Sequence, residues 1–209
     1  RAAKISQWKA ASQQASVAAD LYRFVHDDEK ALAFEKRARD LSQLGKDWER
    51  AAYLARNLVE TLEKGGPAEE ALRARISLGK IFMGMGKASQ ARDLLQRGHL
   101  QAKGGDPALA AEAREAYKEV LVENRDLAAA AALQRESLKG LEGEARAASL
   151  LELGAILARD EHPGEALAPL REALGLIPEK PRDAGDVLRP ILLKTYGFAL
   201  ISVGDLAGA

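Results

Sequence analysis

The chain contains no cysteine among its 209 residues. That excludes a disulfide framework and any thiolate-bound metal, and it fits a reducing compartment, so a cytoplasmic location is expected. Aromatic residues make up only 5%, and runs of β-branched residues are absent, which argues against a sheet-based core. No apolar stretch approaches the length of about 18 residues that would span a bilayer. Nor does the N-terminus carry the basic-then-apolar pattern of a secretory leader. Charge of either sign is not in excess, with Lys plus Arg and Asp plus Glu at 31 each. A generic nucleic-acid binder needs a basic surplus, and none is present. What remains is rich in Ala, Leu, Arg, Glu and Lys, the composition of an all-helical chain. The weight of Ala, Arg and Leu also points to a GC-rich bacterial genome.

Within this composition one pattern recurs. From Ala147 to Lys180 it reads Leu153-Gly154, Leu157, Ala166, Leu170, Ala173 and Pro178. From Leu72 it reads Leu78-Gly79, Phe82, Gly86, Ala91, Leu95 and Gly98 with the same offsets. Two further copies follow the frame: one from Ala110, with Tyr117, Val120, Asn124, Ala129 and Leu133, the other from Pro190, with Tyr196-Gly197, Leu200, Gly204-Asp205 and Ala209. A unit of this size is a helix pair that buries its apolar face only against its neighbours. Glycine inside a helix is less favourable than Ala by about 1 kcal/mol. Gly79, Gly154 and Gly197 therefore imply close approach of the second helix, with Ala91, Ala129 and Ala166 opposite them.

These residues resemble the tetratricopeptide repeat (TPR) family. There, helix A carries a large residue, then a small one, then an aromatic or aliphatic residue. Helix B carries two spaced small residues, and a proline often closes the unit. The resemblance implies a right-handed superhelical solenoid of antiparallel helix pairs. Repeats are expected at 28–66, 72–106, 110–143, 147–180 and 190–209, after a leading helix over 1–26. Tyr117 stands where the family places a small residue, and the repeat starts are spaced more widely than about 34 residues. Breaks are expected at Gly65-Gly66-Pro67, at Gly104-Gly105-Asp106-Pro107, and from Pro178 through Pro181 to Asp183. In the N-terminal part, Asp27-Asp28 and Gly45-Lys46-Asp47 both read as turns into a second helix of a pair; counting back favours 28–44 as a helix A. The chain opens on Arg1 and stops at Asp205–Ala209 where a second helix is due, so a piece of a larger protein is expected. The last helix would then leave Leu193, Tyr196 and Leu200 partly uncovered.

The resemblance also places a binding surface. The helix A positions that line the family's concave face correspond here to Arg73, Ile76, Lys80, Met83 and Gly84, to Ala111, Arg114, Lys118, Leu121 and Val122, to Ala148, Leu151, Ala155, Ala158 and Arg159, and to Ile191, Lys194, Phe198, Ile201 and Ser202. All the charged members are basic. Aligned cations concentrate anionic partners, and Arg grips a carboxylate bidentately. The expected ligand is an acidic peptide or a free C-terminal carboxylate, and the residues singled out are Arg73, Lys80, Met83, Arg114, Lys118, Arg159, Lys194 and Phe198. One subset of the family clamps chaperone C-termini with paired Lys and Asn. The asparagines of this chain, Asn57 and Asn124, are at no groove position, so that role is not expected.

Chemistry is poorly represented. His26, His99 and His162 lie far apart with no ligand at metal spacing. Gly84-Met85-Gly86 follows no strand and lacks the Lys-Ser/Thr pair of a phosphate loop, and no segment suggests a nucleophile elbow. Trp8, Trp48 and Met85 read as packing residues. The sequence is thus read as a non-catalytic protein-interaction scaffold without cofactor or metal. The alternatives are a regulatory or sensing module of a larger signalling or transcription protein, and a structural unit that self-associates through its C-terminal end.

Overall fold

The computed structural model describes residues 2–159, 163–178 and 187–204. Among them there is helix and no strand. The helices are α1 (Ala2–Phe24), α2 (Asp28–Leu44), α3 (Trp48–Gly65), α4 (Ala68–Gly84), α5 (Ala88–Ala102), α6 (Pro107–Glu123), α7 (Leu127–Ser137), α8 (Gly143–Leu157), α9 (Leu167–Leu176), entered through a single 3-10 turn at Pro163–Ala166, and α10 (Leu188–Ser202). The expected breaks fall between α3 and α4 and between α5 and α6. His162, the expected break through Pro181 to Asp183 and the segment from Asp205 lie outside the described residues. Contacts divide the chain into two compact units, residues 1–120 and 121–209.

One turn is used repeatedly. Its first residue is in the left-handed region: His26 at φ 61°, Lys46 at 53°, Gly86 at 70° and Arg125 at 59°. The next residue donates its backbone N–H back across the last helical turn. Asp27 bonds the Tyr22 carbonyl at 2.9 Å, Asp47 that of Ser42 at 2.8 Å, Lys87 that of Phe82 at 2.9 Å and Asp126 that of Leu121 at 2.9 Å. This satisfies carbonyls that a helix end leaves without partners. The same Asp then caps the following helix. Asp27 accepts from the Lys30 N–H at 3.1 Å, Asp47 from Arg50 at 3.3 Å and Asp126 from Ala129 at 3.4 Å. The Lys30 ammonium also bonds Asp27 and holds its carboxyl below the usual carboxylate range. In the Gly86-Lys87 turn the Asp is replaced and no side chain caps α5.

In the first unit, α1 packs on α2, α2 on α3, and α4 on both α3 and α5. Helix α2 is entered and left through the same turn. Along its C-terminal half the seam is polar: Ser12 Oγ donates to the Ala38 carbonyl at 2.8 Å and lies 2.7 Å from Ser42 Oγ. Arg50 of α3 reaches both Ser12 and Ser16. Farther along, the core is apolar and built from Ala51, Ala55, Ile76, Ile81, Phe82, Leu95, Ala113 and Val120. Here the expected role of Gly79 is realised, since a Cβ on it would lie 2.5 Å from Leu95 Cγ. Within the second unit, α8 packs on α7 and α9, and α9 on α10. Gly154 repeats the contact there, its would-be Cβ 2.4 Å from Leu170 Cγ.

The copy between these two is displaced by one residue from the sequence frame. Ala130, not Ala129, is fully buried, and Lys118, not Tyr117, stands at the position of Gly79. Aligning the Gly86-Lys87 and Arg125-Asp126 turns gives the same phase and sets Gln134 at the position of Leu95. The uninterrupted alanines 128–132 carry no phase information, so the frame slipped where the turn would have held it. Both replacements are polar and buried, Lys118 at 3% exposure and Gln134 at 2%. Gln134 Nε2 donates to the Ser149 carbonyl at 3.0 Å, to Ser149 Oγ at 2.9 Å and to Glu152 at 3.0 Å. In α10, Leu193 is exposed as expected, but Leu200 is buried, at 3%.

Gly79→Ala and Gly154→Ala are expected to destabilise. The overpacking term of about 1–3 kcal/mol outweighs the gain of about 1 kcal/mol in helix propensity. Gly98→Ala should be neutral or stabilising, because its Cβ would meet only Leu72 and Ile76 at 3.5 and 3.6 Å. Urea denaturation of the three variants distinguishes the glycines that set helix spacing from one that does not. Asp47→Ala should lose about 1 kcal/mol through the lost cap. Lys46→Gly, relieving a left-handed backbone, should gain less than about 1 kcal/mol by the same measurement.

Candidate functional site

The residues singled out in the sequence fall in both units. Arg73 and Lys80 sit on the same face of α4, both exposed. Met83 is half-buried and packs against the α3–α6 core. Arg114 is half-buried on α6. Lys118 is buried, and its Nζ lies 2.7 Å from Glu115 Oε2. In the second unit, exposed Arg159 borders a hollow with Val122, Glu123, Arg125 and Leu127. Lys194 lies over the ring of Phe198, its Nζ 6.0 Å from the centroid, a contact within α10 itself.

Arg73 and Lys80 do share a site with groups the sequence frame missed. A groove of about 390 Å³ in the first unit is lined by Lys36, Arg39 and Gln43 of α2, Leu58 and Leu62 of α3, Glu70, Arg73, Ala74, Ser77 and Lys80 of α4, and Glu112 of α6. The helical repeat explains the convergence: Arg73, Ser77 and Lys80 follow at helical spacing along one face of α4, and Lys36, Arg39 and Gln43 do so on α2. Leu58, Leu62 and Ala74 are buried and form a cluster at the floor.

Each cation in this groove meets a carboxylate. Lys36 pairs with Glu70. Arg39 donates from Nε and a terminal nitrogen to the adjacent Asp40 at 2.8 and 2.6 Å. Glu112 faces two cations at once, Lys80 Nζ at 3.1 Å and Arg73 at 3.8 Å. The all-basic count of the sequence frame therefore does not describe the surface. With the α6 register moved by one residue, the helix A face carries Glu112, Glu115, Glu119 and Glu123, all exposed. Aligning the two turns in the sequence would have found Glu112. Lys36 and Arg39 were hidden by the ambiguity of the N-terminal register.

A larger hollow of about 500 Å³ opens at the loop edge of the same unit, over Leu62, Leu72, Ala102 and Leu109. Its cation, Arg75, is tied to Glu63 and Gln101, and the other charged residues of its lining, Glu69 and Asp106, are acids. Among the described residues no cluster of three or more His, Asp or Glu side chains could hold a metal ion. No described helix is long and apolar enough to cross a membrane.

No family model matches the chain, and no curated protein matches it in sequence. Solved structures match its fold. A kinesin light chain-like protein of Podosopora anserina with nearly identical TPR-like repeats superposes with a TM-score of 0.70 at 17% identity, covering 85% of this chain and 89% of that one. A single-substitution variant of that protein gives 0.70 at 18% identity, over 85% and 88%. BtubC (BKLC) from P. vanneervenii gives 0.68 at 15% identity, over 96% and 85%. At such identities the likeness is one of fold: the chain is an all-α, TPR-like helical repeat.

Lys118→Glu is expected to lose about 3 kcal/mol or more, because it puts a carboxylate into a buried position beside the Glu115 carboxylate. Lys118→Met should retain most of the stability. Urea unfolding of both variants separates a packing role from a surface role for this lysine.

Proposed function

We propose that the chain is a non-catalytic protein-interaction scaffold. Its groove over α2, α4 and α6 takes an extended peptide through acidic side chains or a terminal carboxylate. The observation that carries this reading is the convergence of Lys36, Arg39, Arg73 and Lys80 on one groove with an apolar floor. Four cations facing a strip of Leu58, Leu62 and Ala74 offer both ends of an amphipathic contact: charge at the rim for register, and aliphatic surface below for affinity. Gln43 and Ser77 in the same wall can hydrogen-bond a peptide backbone. The fold agrees in kind, because a repeat array presents long surfaces that serve binding. Fold alone does not choose the ligand. Attachment of this scaffold to an effector domain, as a sensing module, is compatible with the same groove.

A second reading rests on a separate observation. Helix α10 exposes Ile191, Leu193, Phe198 and Ile201, each at 46–59%, a density of apolar surface suited to contact with another copy. In that reading the chain self-associates through α10. Light scattering should then show mass rising with concentration, and Leu193→Glu/Ile201→Glu should return it to the monomer value.

The groove is tested by fluorescence anisotropy with labelled Glu-rich peptides, their C-termini either free or amidated. Binding that weakens with salt and falls at least tenfold in Arg73→Glu/Lys80→Glu is expected. Equal affinity of the two peptides would assign recognition to side chains, and loss on amidation would assign it to the terminal carboxylate. Affinity unchanged in the double variant would remove the groove as the site.

A further inference from the structure

Among the described groove residues, Glu112 is the carboxylate that serves two cations from another helix. It projects from α6, while Arg73 and Lys80 belong to α4, and its two oxygens face one cation each, at 3.8 and 3.1 Å. A ligand carboxylate approaching α4 would meet the same two groups in the same way. The other internal acid, Glu70, differs in what holds it. It lies in the first turn of α4, where the helix dipole favours a negative charge whether or not Lys36 is present. Glu112 lies beyond the first turn of α6 and has no such support. Its pairs are also solvated, with side-chain exposures of 43% for Glu112, 53% for Arg73 and 45% for Lys80. Ion pairs exposed to this degree are weak and exchange readily.

We propose that Glu112 is a built-in competitor at the groove: it occupies the Arg73/Lys80 seat in the free protein and must yield it to the acidic ligand. The inference rests on the groove reading above. It explains how a surface can gather cations and keep them internally paired when empty. Only a ligand that replaces the internal carboxylate in both contacts, or brings additional ones, binds productively. Single stray anions gain little, because each displaces a pair of comparable strength. The residue therefore sets a threshold of ligand charge, a form of specificity by competition.

The test compares wild type, Glu112→Gln and Glu119→Gln for binding the labelled, amidated Glu-rich peptide at low ionic strength. Glu119 is exposed on the same helix and does not line the groove, so its variant makes the same change in net charge. Glu112→Gln should bind about threefold to fivefold tighter, the range set by an exposed pair, with Glu119→Gln close to wild type. Equal tightening in both variants would overturn the proposal in favour of net charge alone. Binding by wild type that is unchanged in Glu112→Gln would overturn it and leave the groove standing. Absence of binding in all three would overturn both.

Discussion

The spacing between the two helices of a pair is the constraint on which the architecture depends. Leu95 and Leu170 come so near the opposing backbone that no Cβ fits at Gly79 or Gly154. This is a packing interaction of the kind that holds interiors at crystal-like density, where a single methyl group is felt. Close approach also fixes the rotational phase of each helix, because only one face carries the glycine. That phase decides which residues of α4 point away from the core. Arg73, Ser77 and Lys80 line the groove because Gly79 and Phe82 do not.

The middle copy meets the same constraint by different means. Lys118 and Gln134 hold the sequence places of glycine and leucine, each a buried polar residue within its own unit. Buried polar groups are tolerated only when they are bonded, and Gln134 has three acceptors. Such groups specify geometry more than they stabilise it. The first unit uses a similar device at Ser12 and Ser42.

The electrostatics of the groove follow from helix succession. A cation on one helix of the face meets a carboxylate on a later one, Lys36 with Glu70 and Arg73 and Lys80 with Glu112. Pairing of this sort damps the field of the cations when the groove is empty. In the proposed reading, recognition works through local exchange of partners. The alternation would have been visible in the sequence only to a reader holding the right register.

The sequence by itself determined the helices and where they stop. Turn residues, capping Asp and the apolar period are local signals, and each acts within a few residues of where it is written. It also determined the close approach at Gly79 and Gly154, because glycine weakens a strong helix and fits its interior best where a neighbour leaves no room for a side chain. The register of α6 was written in the Arg125-Asp126 turn, but the alanines of α7 fit either phase, and the burial of Ala130 and Lys118 shows which one is used. Only the tertiary structure decided that Lys118 is a core residue and that Glu112 meets Arg73 and Lys80. Whether a charge faces solvent, a partner or a ligand depends on helices distant along the chain, and no single segment encodes that distance.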